Sequence, residues 1–126
     1  MVEYKNFRYP YSKAKNEILR KTICGLLNCK GGIIFIGIEE NLATKKHKVV
    51  GQTYSEYMKE EILKDMRHLV KFVEPDILMS QKMKISFIPV KSSKNNFVFL
   101  EGRYVIKIKI FPGIRNEIYT FKNDEH

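Results

Sequence analysis

Asn-Cys-Lys-Gly-Gly-Ile-Ile-Phe-Ile-Gly-Ile-Glu-Glu, residues 28–40, is the stretch around which the chain is organised. It reads as the end of a helix, a two-glycine stop, an apolar strand, and two carboxylates where that strand runs out. Ile33 to Ile38 has no polar alternation, only apolar residues and one glycine, which is the pattern of a short strand covered on both faces. Such a strand belongs in the middle of a sheet. Glu39 and Glu40 then emerge at its carboxyl end, where open α/β sheets tend to place ligands. Gly31-Gly32 invites comparison with a phosphate loop, but these glycines follow a helix and face its carbonyl-rich, negative end. Phosphate cradles use the opposite helix end, and the chain has no Gly-Lys-Ser/Thr sequence, so no nucleotide is expected.

Upstream of this stretch, Ser12 is a plausible cap for a helix through about Asn28, with Ile18, Leu19, Ile23, Leu26 and Leu27 on its buried side. Met1 to Tyr9 alternates and reads as an opening strand ended by Pro10. The chain begins almost inside that strand, so the domain is one that can belong to a longer protein. Downstream, Asn41 to Lys48 is polar and basic, and Val49 to Gly51 reads as a return strand completing a hairpin. Ser55 caps a second expected helix to about Val73, closed by Pro75, with Tyr57, Met58, Ile62, Met66, Leu69 and Val70 as its apolar stripe. Lys82 to Pro89 alternates. Phe97 to Leu100, a turn at Glu101-Gly102, and Arg103 to Phe111 read as a hairpin. Pro112-Gly113 is a turn, Ile118 to Phe121 a last strand, and Asn123 to His126 a frayed end. Two helices are too few to cover both faces of a large parallel sheet. The expected fold is α+β: one domain with a mixed, mostly antiparallel sheet and two helices packed on one face.

The 126 residues carry 23 Lys and Arg against 14 Asp and Glu, a net charge of +9. That surplus favours polyanions through counterion release, nucleic acid before anionic membrane. Lys82, Lys84, Arg103, Lys107 and Lys109 fall where alternation puts them on one solvated sheet face, about 7 Å apart along each strand. They are candidates for a phosphate track along a nucleic acid, and ordinary polar alternation accounts for the same pattern equally well. Seven Tyr and eight Phe leave room for base stacking beside the core. Cys24 and Cys29 read as reduced cysteines of an intracellular protein, in the cytoplasm or another reducing compartment, with no zinc spacing. His47, His68 and His126 have no second histidine at metal spacing and read as isolated polar residues. No apolar run approaches the roughly 20 residues needed to span a bilayer, so no membrane insertion is expected.

Taken in order, Val2-Glu3-Tyr4-Lys5, Leu26-Leu27-Asn28, Gly31-Gly32, Phe35-Ile36-Gly37-Ile38-Glu39-Glu40 and Val49-Val50-Gly51 resemble the Schlafen core domain, also called the AlbA-like or divergent AAA domain. Val105 to Ile110, Pro112-Gly113 and Ile118-Tyr119 look like its closing strands, so the resemblance spans essentially the whole chain. It implies RNA binding, and for several family members metal-dependent cleavage of tRNA, rRNA or small-RNA precursors, such as piRNA precursors, by three carboxylates. Carried over residue by residue, Glu3 matches the second carboxylate. Glu40, with Glu39 as the alternative, stands where the family usually has aspartate. The first carboxylate has no counterpart here, and the family's zinc ligands find no match.

On that resemblance the catalytic candidates are Glu3, Lys5 and Glu40, with Glu3, Glu40 and Glu39 as ligands for Mg²⁺ or Mn²⁺. Carboxylates from two strands can hold a divalent ion against a scissile phosphate, and Lys5 can bind that phosphate. Schlafen cores pair two related lobes into a basic groove, so the implied partners are RNA and another Schlafen-like chain, identical or different. The leading expectation is a domain of an RNA endonuclease acting in a dimer or multi-chain complex. The alternatives are a non-catalytic RNA-binding or assembly subunit and a DNA-binding regulator.

Overall fold

The computed structural model of the chain describes residues 1–71, 73–77, 81–92, 94–95, 98–113 and 118–121. Its elements run β1 (Val2–Lys5), α1 (Lys13–Leu27), β2 (Gly32–Ile36), β3 (Ile38–Asn41), β4 (Lys46–Val49), β5 (Gln52–Thr53), α2 (Glu56–Val70), β6 (Val73–Glu74), β7 (Met83–Lys91), β8 (Phe99–Ile110) and β9 (Thr120–Phe121).

Both helices start where their caps dictate. Ser12 Oγ accepts from Lys15 N at 3.2 Å, and Ser55 Oγ accepts from Met58 N at 3.1 Å, each satisfying an amide the first turn leaves unpaired. α1 stops at Leu27; Asn28 caps it, and Gly31, at φ +76°, returns its amide to the Leu26 carbonyl at 2.8 Å. Only glycine holds that backbone angle without strain, so the two-glycine segment is a helix stop that delivers the chain into β2.

β2 is central, as expected. It pairs in parallel with β1 and antiparallel with β8, while β7 lies on the other side of β8 and β5 extends the β2 side of β8. Ladder partners Ile34 and Ile108, and Ile36 and Ile106, are all fully buried. They meet Leu19, Ile23, Leu26 and Leu27 of α1 and Ile62, Met66, Leu69 and Val70 of α2 in one core. Burying each such side chain contributes about 1.5–3 kcal/mol, which fixes the helices on this face. The fold is therefore α+β, with a mixed, mostly antiparallel sheet.

Several local expectations differ from the structure. β1 ends at Lys5 and does not reach Tyr9, and Ile18 of α1 and Tyr57 of α2, expected on the buried faces, are exposed because each lies at the margin of its helix's apolar stripe. Ile33 and Phe35, on the face away from the helices, are only half-buried, so β2 is covered on one face and not on both. The expected apolar strand breaks at Gly37, and the polar segment after it forms the β3–β4 hairpin, with β4 beginning at Lys46. α2 ends at Val70, because Val73 and Glu74 pair with Phe121 and Thr120. Glu101-Gly102 is not a hairpin turn. β8 runs through it, bulging where Pro89 pairs with Tyr104 and Lys91 already pairs with Phe99, and Gly102 takes φ +67°. The hairpin partner of β8 is β7; Phe97 and the expected fray at 123–126 lie outside the described residues.

Candidate nucleic-acid interface

The sheet face turned away from the helices is built in rows. Tyr4, Phe35, Lys107 and Ser86 are register partners across β1, β2, β8 and β7, and Val2, Ile33, Lys109 and Lys84 form the next row. Alternation forces this: Ile106, Ile108 and Ile110 point into the core, so Lys107 and Lys109 point out. Lys84 and Lys109 stand directly opposite one another, like charges at a separation of about 5 Å between Cβ atoms. Lys82 continues the ladder, its carbonyl accepting from Phe111 N at 2.9 Å, and alternation puts its side chain on this face too. Arg103 leaves β8 on the same face, but its Nε donates to the Val50 carbonyl at 2.7 Å and so braces the chain after β4. The aromatic rings Tyr4 and Phe35 lie 5.9 Å apart and nearly parallel, at 15°.

The β3–β4 hairpin extends this surface. Gly37 takes φ +109°, and a Cβ there would stand 3.1 Å from Gly51 Cα, so the two glycines let the chain turn out of β2 and come back past itself. The Gly37 carbonyl accepts from Val50 N and Gly51 N at 2.8 Å each, which clamps the hairpin base. At its tip Asn41 Oδ1 accepts from Ala43 N and Thr44 N, an Asx turn that closes the loop. Glu40 and His47 are register partners, joined by a 3.1 Å contact between Glu40 Oε2 and His47 Nε2. The His47 ring lies 4.1 Å from the Tyr4 ring, tilted by 33°.

The candidate catalytic residues are distributed over this geometry. Glu3 and Lys5 are register partners of Ile34 and Ile36, so their side chains leave β1 on the helix side. Glu40, through His47 and Tyr4, belongs to the opposite side of β1. Glu39 is the partner of Lys48 and lines an open groove of about 820 Å³ with Asn6, Lys91 and Arg103 at the carboxyl ends of β1 and β2. The structure thus brings Glu40, His47 and Tyr4 together, while Glu3 leaves β1 on the other side. Among the described residues no three His, Cys, Asp or Glu side chains gather.

On the helix side a second recess, about 240 Å³, is lined by Tyr9, Tyr11, Asn16, Arg20, Asp65 and His68. The Tyr9 hydroxyl donates to Asp65. Burial pushes the Tyr9 and Tyr11 phenols above their ordinary range, and the Asp65 carboxylate raises Tyr9 further. Both cysteines are free thiols: burial pushes Cys24 up, and Cys29 is exposed.

Two residues of the interface escape a linear reading. Tyr4 has a signal, since it alternates with Glu3 and Lys5; His47 has none, because only cross-strand register carries it onto Tyr4.

A four-strand ladder backed by two helices on one side and presenting lysines on the other defines the class, a small α+β lobe with a basic sheet face. The family model for Schlafen, AlbA_2 matches residues 1–126, and the chain belongs to that family. No individually curated protein matches the sequence. Among the described residues no helix is long and apolar enough to cross a membrane.

Proposed function

We propose that this Schlafen AlbA_2 domain binds RNA on the open face of its sheet and works as the RNA-binding lobe of an RNA-processing assembly. The observation that supports this best is the pairing of Lys84 with Lys109 beside Lys107. Like charges held opposite one another across strands destabilise a sheet, and a phosphate backbone laid over them offsets that repulsion. The substrates of such an assembly are tRNA-like or small-RNA precursors. Cleavage, where it occurs, draws on a second Schlafen-like chain, because Glu3 leaves β1 on the helix side whereas Glu40 of β3 meets the side that carries Tyr4, so the two do not converge on one ion. An endonuclease complete within this chain is the second reading, favoured by the match of Glu3 and Glu40 to family positions.

The test is a labelled RNA panel incubated with the purified chain in Mg²⁺ or Mn²⁺, scored for binding and cleavage, with Glu3→Ala and Glu40→Ala as controls. Salt-sensitive binding without cleavage by the chain alone supports the proposal. Cleavage that both substitutions abolish moves the conclusion to the second reading. Failure to bind any RNA at low salt overturns the proposal.

A further inference from the structure

Phe35, Tyr4 and His47 form a continuous column of rings from the middle of the sheet out to the hairpin, with spacings of 5.9 and 4.1 Å. The first two rings are half-buried, but the His47 side chain is 40% exposed. Glu40 holds the imidazole from its edge, which leaves the ring face away from Tyr4 as the outward end of the column. Beside that end lies a recess of about 240 Å³ lined by Glu40, Asn41, Leu42, Lys45 and His47, with Leu42 80% exposed. The column starts at Phe35, the register partner of Lys107, so the ring stack and the lysine rows share one surface.

A ring end flanked by lysines has one chemical match among nucleic acids. In a duplex the base faces are covered by their neighbours, and a protein reaches phosphates and groove edges only. In a single strand the bases splay, and each stacks on an aromatic or imidazole ring while the backbone tracks a basic surface. Building on the RNA-binding reading above, we infer that the domain selects single-stranded RNA. An unpaired base stacks on His47 at the end of the Phe35–Tyr4–His47 column, and the adjoining phosphates cross Lys107, Lys109 and Lys84. Glu40 is a positioning residue for the imidazole in this arrangement, and Leu42 and Lys45 wall the recess into which the base enters.

Fluorescence polarisation with three probes of equal length tests this: an unstructured RNA strand, the same strand annealed to its complement, and an abasic strand with the same phosphates. The wild type binds the single strand more tightly than the duplex or the abasic strand. His47→Ala weakens single-strand binding by roughly 5- to 140-fold, the range expected for one stacked base, and leaves the other two probes unchanged. His47→Phe, which keeps a ring face, restores single-strand binding. Equal affinity for all three probes, or an equal loss on all three in His47→Ala, overturns the inference. If the double variant Lys107→Ala/Lys109→Ala then still loses RNA binding, the broader RNA-binding reading stands without it. A wild type that binds none of the probes removes both.

Discussion

Replacing Lys84 by glutamine should make the protein more stable and a weaker RNA binder at once. Lys84 faces Lys109 in the β7–β8 ladder on a sheet face the helices do not cover. Glutamine retains most of the side-chain length and removes one charge. Like charges directly opposite cost roughly 0.2–1 kcal/mol in a sheet. For a chain of 126 residues, unfolding entropy near the midpoint is roughly 0.26 kcal/mol/K, so the gain raises Tm by about 1–4 °C. The gain fades toward 1 M salt, where the screening length falls to about 3 Å. The same ammonium is one phosphate contact, and each contact adds about 0.7 to the salt slope of single-strand binding. Between 50 and 200 mM salt the wild type should therefore lose about 2.6-fold more affinity than Lys84→Gln. Calorimetry at low and high salt, with binding titrations over the same range, gives both numbers. An unchanged or lower Tm at low salt would show that the two ammonium groups do not repel. An unchanged salt slope would show that no phosphate lies over this row.

Two further outcomes follow from the core side of the sheet. Asn28→Ala removes the 2.8 Å bond from Nδ2 to the Tyr119 carbonyl and the 2.5 Å bond from Tyr119 N to Oδ1, next to a side chain only 2% exposed. Two backbone groups lose their partners, so urea unfolding should report a loss of about 2–4 kcal/mol; under 1 kcal/mol would mean that water replaces both bonds. A thiol reagent should label Cys29 alone in the native protein and Cys24 only on unfolding, since Cys24 is buried and its thiolate disfavoured. Rapid labelling of both would contradict the packing of α1 on the sheet.

The parts of the fold legible in sequence are those set by local chemistry. Ser12 and Ser55 announce their helices because a hydroxyl one residue before an apolar-periodic run has an amide to cap. Lys107 and Lys109 declare their face because every second neighbour is isoleucine. What pairing decides was not legible. Gly102 looks like a turn residue but sits in a bulge, since β8 finds its partner in β7 and not in its own preceding segment. Val73 continues the apolar stripe of α2 yet joins β6, because residues 120–121, far along the chain, supply a strand. Glu3 and Glu40 stand at neighbouring strands in linear order, but which side of β1 each approaches depends on the register with β2 and on the exit angle at Gly37. The β3–β4 hairpin is legible in outline, but its return strand is expected at Val49 to Gly51: β4 is Lys46–Val49 and exposed along its whole length, so no hydrophobic alternation marks where it begins.

The clamp at Gly37 and Gly51 has an evolutionary consequence. The segment between Ile38 and Val50 is clamped at its base by one carbonyl and two amides and rests on the sheet only through its own surface contacts, while the core residues that stabilise the domain lie elsewhere. Mutations at the tip of that segment, residues 41–48, change what the surface recognises and leave the scaffold alone, so selection can rewrite the tip freely. Related lobes should diverge fastest there while keeping both glycines, and the hairpin of one lobe should transplant onto another carrying its preference with it.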